Sequence, residues 1–469
     1  MGTTTVPAAS LHTAYEQAAR QQLQALLTQS PDWLQALRLR ALSRFEHLGF
    51  PTRRLEAWKY LNVRPLLAQA FQPFEAEAHL SAEAIVPYLL HDAQCVIQLV
   101  FVNGQFNASL SSNQDALSAG VTLGSLKASI QTQSSAMEVQ LAQRLETLLP
   151  QESDAFVALN TALFEDGALI SIPDDGVIEP LVQLLFVTVP DGQPRVAYTR
   201  NLISLGKNAR VQMVIEHVSL PGASVSEYFN SSVHSFELAE GAQAECTLVF
   251  NEGAQGTHFA TSRNQVAANA KLKLNTVTLS GQVTRHSVTS LLQGENAQVH
   301  LNGLDVLCDQ TEVYHHTVTE HWVPNGVSVQ YYKGILDDAS KSEFNGMVFV
   351  AEGADGTDSQ QLNKNLLLSE NARVWTRPQL QINADDVKCA HGATVGQLEK
   401  EQLFYLASRG LDPELAQGLL TYGFAEEIIQ RIESEPLRHS LNARVLNNLH
   451  AASASLQQKL GTQTLQTGQ

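Results

Sequence analysis

The chain has 469 residues, of which 44% are hydrophobic and 16% charged, and its formal net charge is −17. That length suits two or three ordinary domains or one elongated repeat architecture, and the apolar fraction supports a large core. The acidic balance, with no basic run longer than Arg53-Arg54, argues against nucleic acid or an anionic membrane surface as a partner.

Four cysteines, Cys95, Cys246, Cys308 and Cys389, are scattered without a CxxC pair. That spacing argues against a disulfide framework and against a self-contained zinc site. Sparse thiols suit a reducing compartment. The start "MGTTTVPAAS" shows no basic segment followed by an apolar one, and no apolar run approaches a membrane-spanning length. The expectation is a cytoplasmic protein.

In chain order, residues 1–8 read as frayed, and the pattern from about Ser10 to Leu48 is helical. Ser30-Pro31-Asp32 restarts a second helix, with Ser30 as cap and Pro31 at the first position. "TRRLEAWKYLNVRPLL" reads as a short helix carrying Trp58 and Tyr60. "CVIQLVFVNGQF" then reads as a strand and an Asn103-Gly104 turn. A helical interlude follows near 136–165.

From Ala168 short alternating segments dominate, and they carry a weak repeat. Turns with Gly or Asn lead into Ala209, Ala242, Ala270, Ala297, Ala354 and Ala372, at gaps of 33, 28, 27, 57 and 18 residues. Asn and Gly tolerate the left-handed backbone of a tight corner, and a small Ala fits where corners stack. A period near 28 without intervening helices points to a parallel β-helix, with a two-sheet β-sandwich as the other option. Helical patterns return from Leu398: one ending at Gly410, one capped by Asp412-Pro413 and stopping at Gly423, then more to a disordered tail. The expected division is a helical part at 1–94, a transition segment at 95–167, a β-helix core at 168–392 and C-terminal helices at 393–469. The helical ends are expected to cap the open ends of the solenoid.

"DDVKCAHG" reads as the last strand before those helices. Along a strand Cys389 and His391 share one face, so thiol and imidazole project together. The pair is half of a metal site, a Cys-His nucleophile, or a small buried thiol beside a surface histidine. Two ligands do not complete a metal centre, so a metal reading needs donors from another chain. In "TEVYHHTVTEHW", His315 and His321 could share a face with His316 opposite, and satisfied or surface histidines are the simpler account. His217 carries a weaker signal still. Asp337-Asp338 and Asp385-Asp386, read as strand neighbours, point to opposite faces. No P-loop, dinucleotide fingerprint, GxSxG or HExxH is present.

"DDVKCAHGATVG" followed by "QLFYLASRGL" resembles the C-terminal signature of the SufB/SufD family of iron–sulfur cluster assembly proteins, on its SufD side. "GFPTRRLEAWKY", "FVALNTALFEDGALISIP", "YYKGILDDASKSEFNGMVFV" and "LNKNLLLSENARV" resemble other motifs of that family. Tyr314 and Gln381 depart from its pattern, where acidic residues are common. The resemblance implies a mainly β protein, a right-handed parallel β-helix flanked by helical N- and C-terminal domains. It implies a non-catalytic scaffold in a complex with SufB and the ATPase SufC, indirectly linked to a cysteine desulfurase system. The ATPase would dock on the helices around 398–433, with Gln402, Leu403, Tyr405, Leu406, Arg409, Gly410 and Phe424 as candidates. SufB would meet the β-helix end, where His391 and its neighbour Cys389 would share transient iron or an iron–sulfur cluster; none is expected on the chain alone. A flavin in the complex and a homodimer of the free chain are further family expectations, carried by no residue identified here. The competing readings are a β-helix carbohydrate-active enzyme and a structural module.

Overall fold

The computed structural model describes residues 13–74, 80–90, 96–112, 120–132, 135–146, 152–220 and 226–449. The frayed start, Cys95 and the tail lie outside these. Helices α1 (Ala14–Gln29), α2 (Asp32–Leu48) and α3 (Arg64–Leu67) precede β1 (Gln72–Pro73) and α4 (Ala82–Ile85). Then come β2 (Val96–Val102), β3 (Gln105–Phe106), β4 (Thr122–Ser125), α5 (Leu126–Gln131), α6 (Ser135–Glu146) and α7 (Ala155–Leu163). The strand series follows: β5 (Ala168–Ile172), β6 (Val177–Thr188), β7 (Arg195–Leu205), β8 (Arg210–Ser219), β9 (Tyr228–Leu238), β10 (Gln243–Asn251), β11 (Gly256–Val266) and β12 (Lys271–Ser280). It continues with β13 (Val283–Leu292), β14 (Gln298–Leu307), β15 (Glu312–His321), β16 (Val327–Leu336), β17 (Lys341–Val350), β18 (Asp358–Leu367), β19 (Arg373–Ile382) and β20 (Lys388–Gly396). Helices α8 (Lys400–Ser408), α9 (Pro413–Ile429) and α10 (Glu435–Asn448) close the described chain.

Odd strands from β5 to β19 form one sheet and even strands from β6 to β20 the other, ten strands each once β1 and β4 are added to the first and β2 and β3 to the second. Neighbours from β5 onward are all parallel, so each coil gives one strand to each sheet. That is a β-solenoid, and parallel pairing rules out the antiparallel sandwich. At its start the β2–β3 hairpin turns through Asn103 and Gly104, both at positive φ.

The stacked corners explain the repeat. Asn208, Asn269, Asn296 and Asn325 stand at φ between 57° and 62°, each beside a buried small residue that leads into an even strand. Asn269 N–H bonds the Glu295 carbonyl of the next coil at 2.9 Å, and Asn208 N–H bonds Glu240 at 3.0 Å. Gly241 takes this place in one coil: it has φ 73°, and a Cβ there would strike the Asn208 side chain. Gly326 takes the alanine's place in the coil between Ala297 and Ala354, which accounts for the doubled gap. The last two alanines differ from the expected alignment. Ala354 lies within a longer corner, where Thr357 precedes the strand, and Ala372 leads into β19 of the opposite sheet.

The flanking helices lie on the sheet faces rather than over the solenoid ends, contrary to expectation. Outward side chains of the odd sheet, Val196, Tyr198, Phe229, Phe259 and Tyr314, are apolar or aromatic and need cover; Tyr15, Trp58 and Phe156 of the N-terminal part supply it. The Tyr15 and Tyr198 hydroxyls meet at 2.6 Å, and the Arg285 guanidinium sits 3.9 Å over the Trp58 ring. On the even sheet Val214, Val249, Val277 and Leu304 face outward against Ile428, Ile429, Leu441 and Val445 of α9 and α10. Each buried Ile or Leu of this kind contributes about 1.5–3 kcal/mol, so the faces win the helices and the final coil stays open.

Three local expectations also change. Ser30 does not cap α2: its hydroxyl donates back to the Leu26 carbonyl at 2.8 Å, and Pro31 stands at the cap position. The Trp58 segment is a single tight turn, Glu56–Trp58, separate from α3. Helix α9 starts at the Asp412 cap as expected, with Asp412 Oδ1 accepting from Leu415 N–H at 2.8 Å, but it runs through Gly423. Burial of Ala425, Ile428 and Ile429 holds that continuation.

Candidate functional site: the open end of the solenoid

Strand β20 is the last of the even sheet, paired with β18 on one side only. Its register sets Cys389 opposite Ser359 and His391 opposite Gln361. Ser359 and Gln361 are 0% and 2% exposed, pointing between the sheets. Parallel register carries that orientation to the next strand, so Cys389 and His391 also face the interior side, as the alternation predicted. No further coil covers them: His391 is exposed and Cys389 half-buried. Around them Ile382 and Val395 are 38% and 47% exposed, unusual for residues on an interior face.

Cys389 packs with Leu380, Val387, Val348, Val350 and Ala354. Burial raises the thiol above its ordinary range, the Ser359 backbone opposes this, and Asp358 adds to it. A raised thiol is a poor spontaneous nucleophile, which weighs against the Cys-His nucleophile. Soft thiolate and imidazole donors suit iron and its clusters. Among the described residues, three or more His, Cys, Asp or Glu donors converge only at His217, Glu252 and His258, in the solenoid interior. The open end thus offers two donors and two unpaired strand edges, a fit for cargo metal only with donors from a second chain.

The chain leaves β20 into α8, which has no buried residue. Phe404 and Tyr405 are 75% and 56% exposed. The Arg409 guanidinium lies 5.2 Å over the Tyr405 ring, and Gly410 ends the helix at φ 87°. Of the sequence-derived docking candidates, Gln402, Leu403, Tyr405, Leu406, Arg409 and Gly410 therefore share one projecting helix or its cap, with Leu403 and Leu406 half-buried. Phe424 does not join them. It packs toward the even sheet, where the Lys333 ammonium lies 4.0 Å over its ring and donates to its carbonyl at 2.9 Å. Phe404, the most exposed aromatic of the group, was not singled out in the sequence; its place in "QLFYL" could have shown it.

In the histidine-rich strand β15 the interior histidines each bond through Nε2 and leave Nδ1 buried without a partner. His315 and His321 are buried on one side with His316 opposite. His315 Nε2 bonds Asp305 at 2.9 Å and His321 Nε2 bonds Ser328 at 2.9 Å. Cys308 sits in a corner beside Asp309, away from that row. The pairs Asp337-Asp338 and Asp385-Asp386 are corners rather than strand neighbours, so the opposite-face argument does not apply to them. Tyr314 faces outward and donates to Glu312 at 2.6 Å.

Residues 187–424 match the family model described as SUF system FeS cluster assembly, SufBD core domain, and residues 9–184 match the SufBD protein N-terminal region. An iron–sulfur cluster assembly SufBD family protein of Synechocystis is 32% identical, covering 84% of this chain and 86% of its own. The iron–sulfur cluster assembly protein SufD of Escherichia coli is 30% identical over 85% of this chain and 89% of its own. The SufD of Bacillus subtilis is 24% identical over 88% and 93%. Among the described residues, no helix is long and apolar enough to cross a membrane.

Proposed function

This chain belongs to the SufBD family of iron–sulfur cluster assembly proteins, with a role in the Suf system, and from that premise we propose that it is a cytoplasmic scaffold subunit that pairs with SufB and docks the ATPase SufC. The observation that carries this reading is the uncapped last coil, with interior-facing His391 and Cys389 on an edge strand beside exposed Ile382 and Val395. A strand edge with apolar neighbours is stabilised by another edge. A paralogous solenoid end supplies one, along with the missing donors. His391 and Cys389 then hold iron or a nascent cluster as cargo between the chains, and none is retained by this chain alone. When free, the same end joins two copies of the chain.

The chain's own role is binding and orientation. ATP hydrolysis resides in the partner docked on α8, whose exposed Phe404 and Tyr405 offer an aromatic anchor. A cysteine desulfurase system supplies sulfur through the complex, and a flavin is assigned to the complex without a residue here. The test is a photo-crosslinking amino acid placed at Val395 in the cell. Capture of SufB there, and not from the same probe at exposed Leu39, supports the reading; no SufB adduct at 395 overturns it.

A further inference from the structure

Interior positions of the even sheet carry an aromatic column. Phe101, Phe186, His217 and Phe250 are register partners on successive strands. The His217 ring stacks on Phe186 at 4.8 Å and on Phe250 at 5.8 Å, with interplanar angles of 16° and 10°. A phenylalanine would continue the column. The histidine instead leaves its Nε2 buried without a partner, which costs about 1–3 kcal/mol.

Beside it stands Glu252, 2% exposed, and His258, 0% exposed. Ligand atoms of His217, Glu252 and His258 lie within 4.8 Å of one another. The neighbours hold these groups in place. Tyr228 donates its hydroxyl to Glu252 Oε2 at 2.8 Å, and Asn230 donates to Oε1 at 3.1 Å. His258 Nε2 bonds the Ser232 hydroxyl at 2.8 Å, while Nδ1 faces Glu252 Oε1 at 2.7 Å. The tautomer that gives Nε2–H to Ser232 turns the Nδ1 lone pair toward the carboxylate, so both can meet one cation. Outer bonds that fix the tautomer and carboxylate of a ligand set are the usual support of a metal centre. A cavity of about 10 Å³ bounded by His217, Asn230, Thr188 and Thr199 holds roughly one water.

We propose that His217, Glu252 and His258 form a buried site for a divalent first-row transition ion, zinc or ferrous iron, with a water as a further ligand. Two imidazoles and one carboxylate suit both ions. The site is independent of the cargo reading. Strands β10 and β20 are five pairings apart, roughly 24 Å at ~4.8 Å per strand. It fills as the chain folds and ties two neighbouring coils together.

The test is expression of the full chain in cobalt-supplemented minimal medium, purification with a chelator wash, and metal analysis with X-ray absorption. The expected result is one cobalt per chain with nitrogen and oxygen neighbours and no sulfur. Cys389→Ser/His391→Ala keeps it. His217→Phe, which completes the aromatic column, lowers occupancy at least about tenfold while melting no lower than metal-stripped wild type. Glu252→Gln, which keeps an acceptor for Tyr228, is a second variant expected to lose the ion. A chain without cobalt, cobalt bound through sulfur, or full occupancy in His217→Phe would overturn the proposal and leave a hydrogen-bonded histidine cluster.

Discussion

His391 lies directly in register with Gln361, yet Gln361 is 2% exposed and His391 is exposed. The same interior-facing position is sealed in one coil and open in the next. That step is where the solenoid stops and where a second chain would continue it.

Replacement of His391 by Ala should therefore leave the fold intact. An exposed side chain away from caps and packing changes stability by within about 0.5 kcal/mol. Cluster formation in the assembled complex should fall severalfold or more, read as iron and sulfide per complex. Normal cluster yield from that variant would sink the cargo site.

Phe404→Ala with Tyr405→Ala should also be neutral to folding, since neither is buried. A paired aromatic anchor is worth about 2 kcal/mol or more at an interface. Affinity for the ATPase should drop at least about thirtyfold by calorimetry. Unchanged affinity would remove α8 from the docking surface.

Arg444 on α10 reaches Glu216 on the even sheet at 2.5 Å, with the glutamate side chain 1% exposed. Burial raises the Glu216 carboxyl and Arg444 pulls it back. Arg444→Ala strands a buried carboxylate and should cost about 3 kcal/mol in urea unfolding. Adding Glu216→Leu should recover most of it; a single variant as stable as wild type would contradict this packing account.

Acid should weaken the fold from about pH 6.5 downward. Burial first, with the cations Lys271 and Lys273 near His300 and Arg285 near His316, holds His300, His316 and His321 down to about 4. Unfolded histidines take a proton near pH 6.5. Between pH 6.5 and about 4 the unfolded state binds more protons, so stability present above 6.5 is lost as pH falls. Each histidine contributes a slope of about 1.4 kcal/mol per pH unit. Glu343, pushed up to about 7 by burial that Arg285 and Lys59 partly offset, acts in the opposite direction, as do Glu165, Glu216, Glu237 and Glu245, raised by burial, while His234 and His286, lowered by burial, add to the three. Denaturant midpoints should rise from pH 5 to 7; a flat or falling series would contradict uncharged histidines at these buried and half-buried positions.

Much of the architecture was legible in the sequence because its corners are chemically marked. A left-handed Asn or Gly before a small Ala or Gly recurs at the corners into β8, β10, β12, β14 and β16, and period-two alternation put Cys389 and His391 on one side. The alignment slipped at Ala354 and Ala372 because corner length varies: four residues separate Leu205 from Arg210, and seven separate Val350 from Asp358. The cover of the sheet faces was hidden because strands such as β6 are apolar on both sides, which alternation cannot report. His217, Glu252 and His258 were invisible as a group. They lie on successive coils and at a corner, and only the coil register brings them together.

The most direct test of the scaffold account is co-expression with SufB and the ATPase SufC, affinity purification on this chain, and native mass determination. The expected result is one assembly containing all three proteins, disrupted at the SufB contact by Val395→Asp. A chain that purifies alone while both partners remain folded and soluble would contradict the account at its centre.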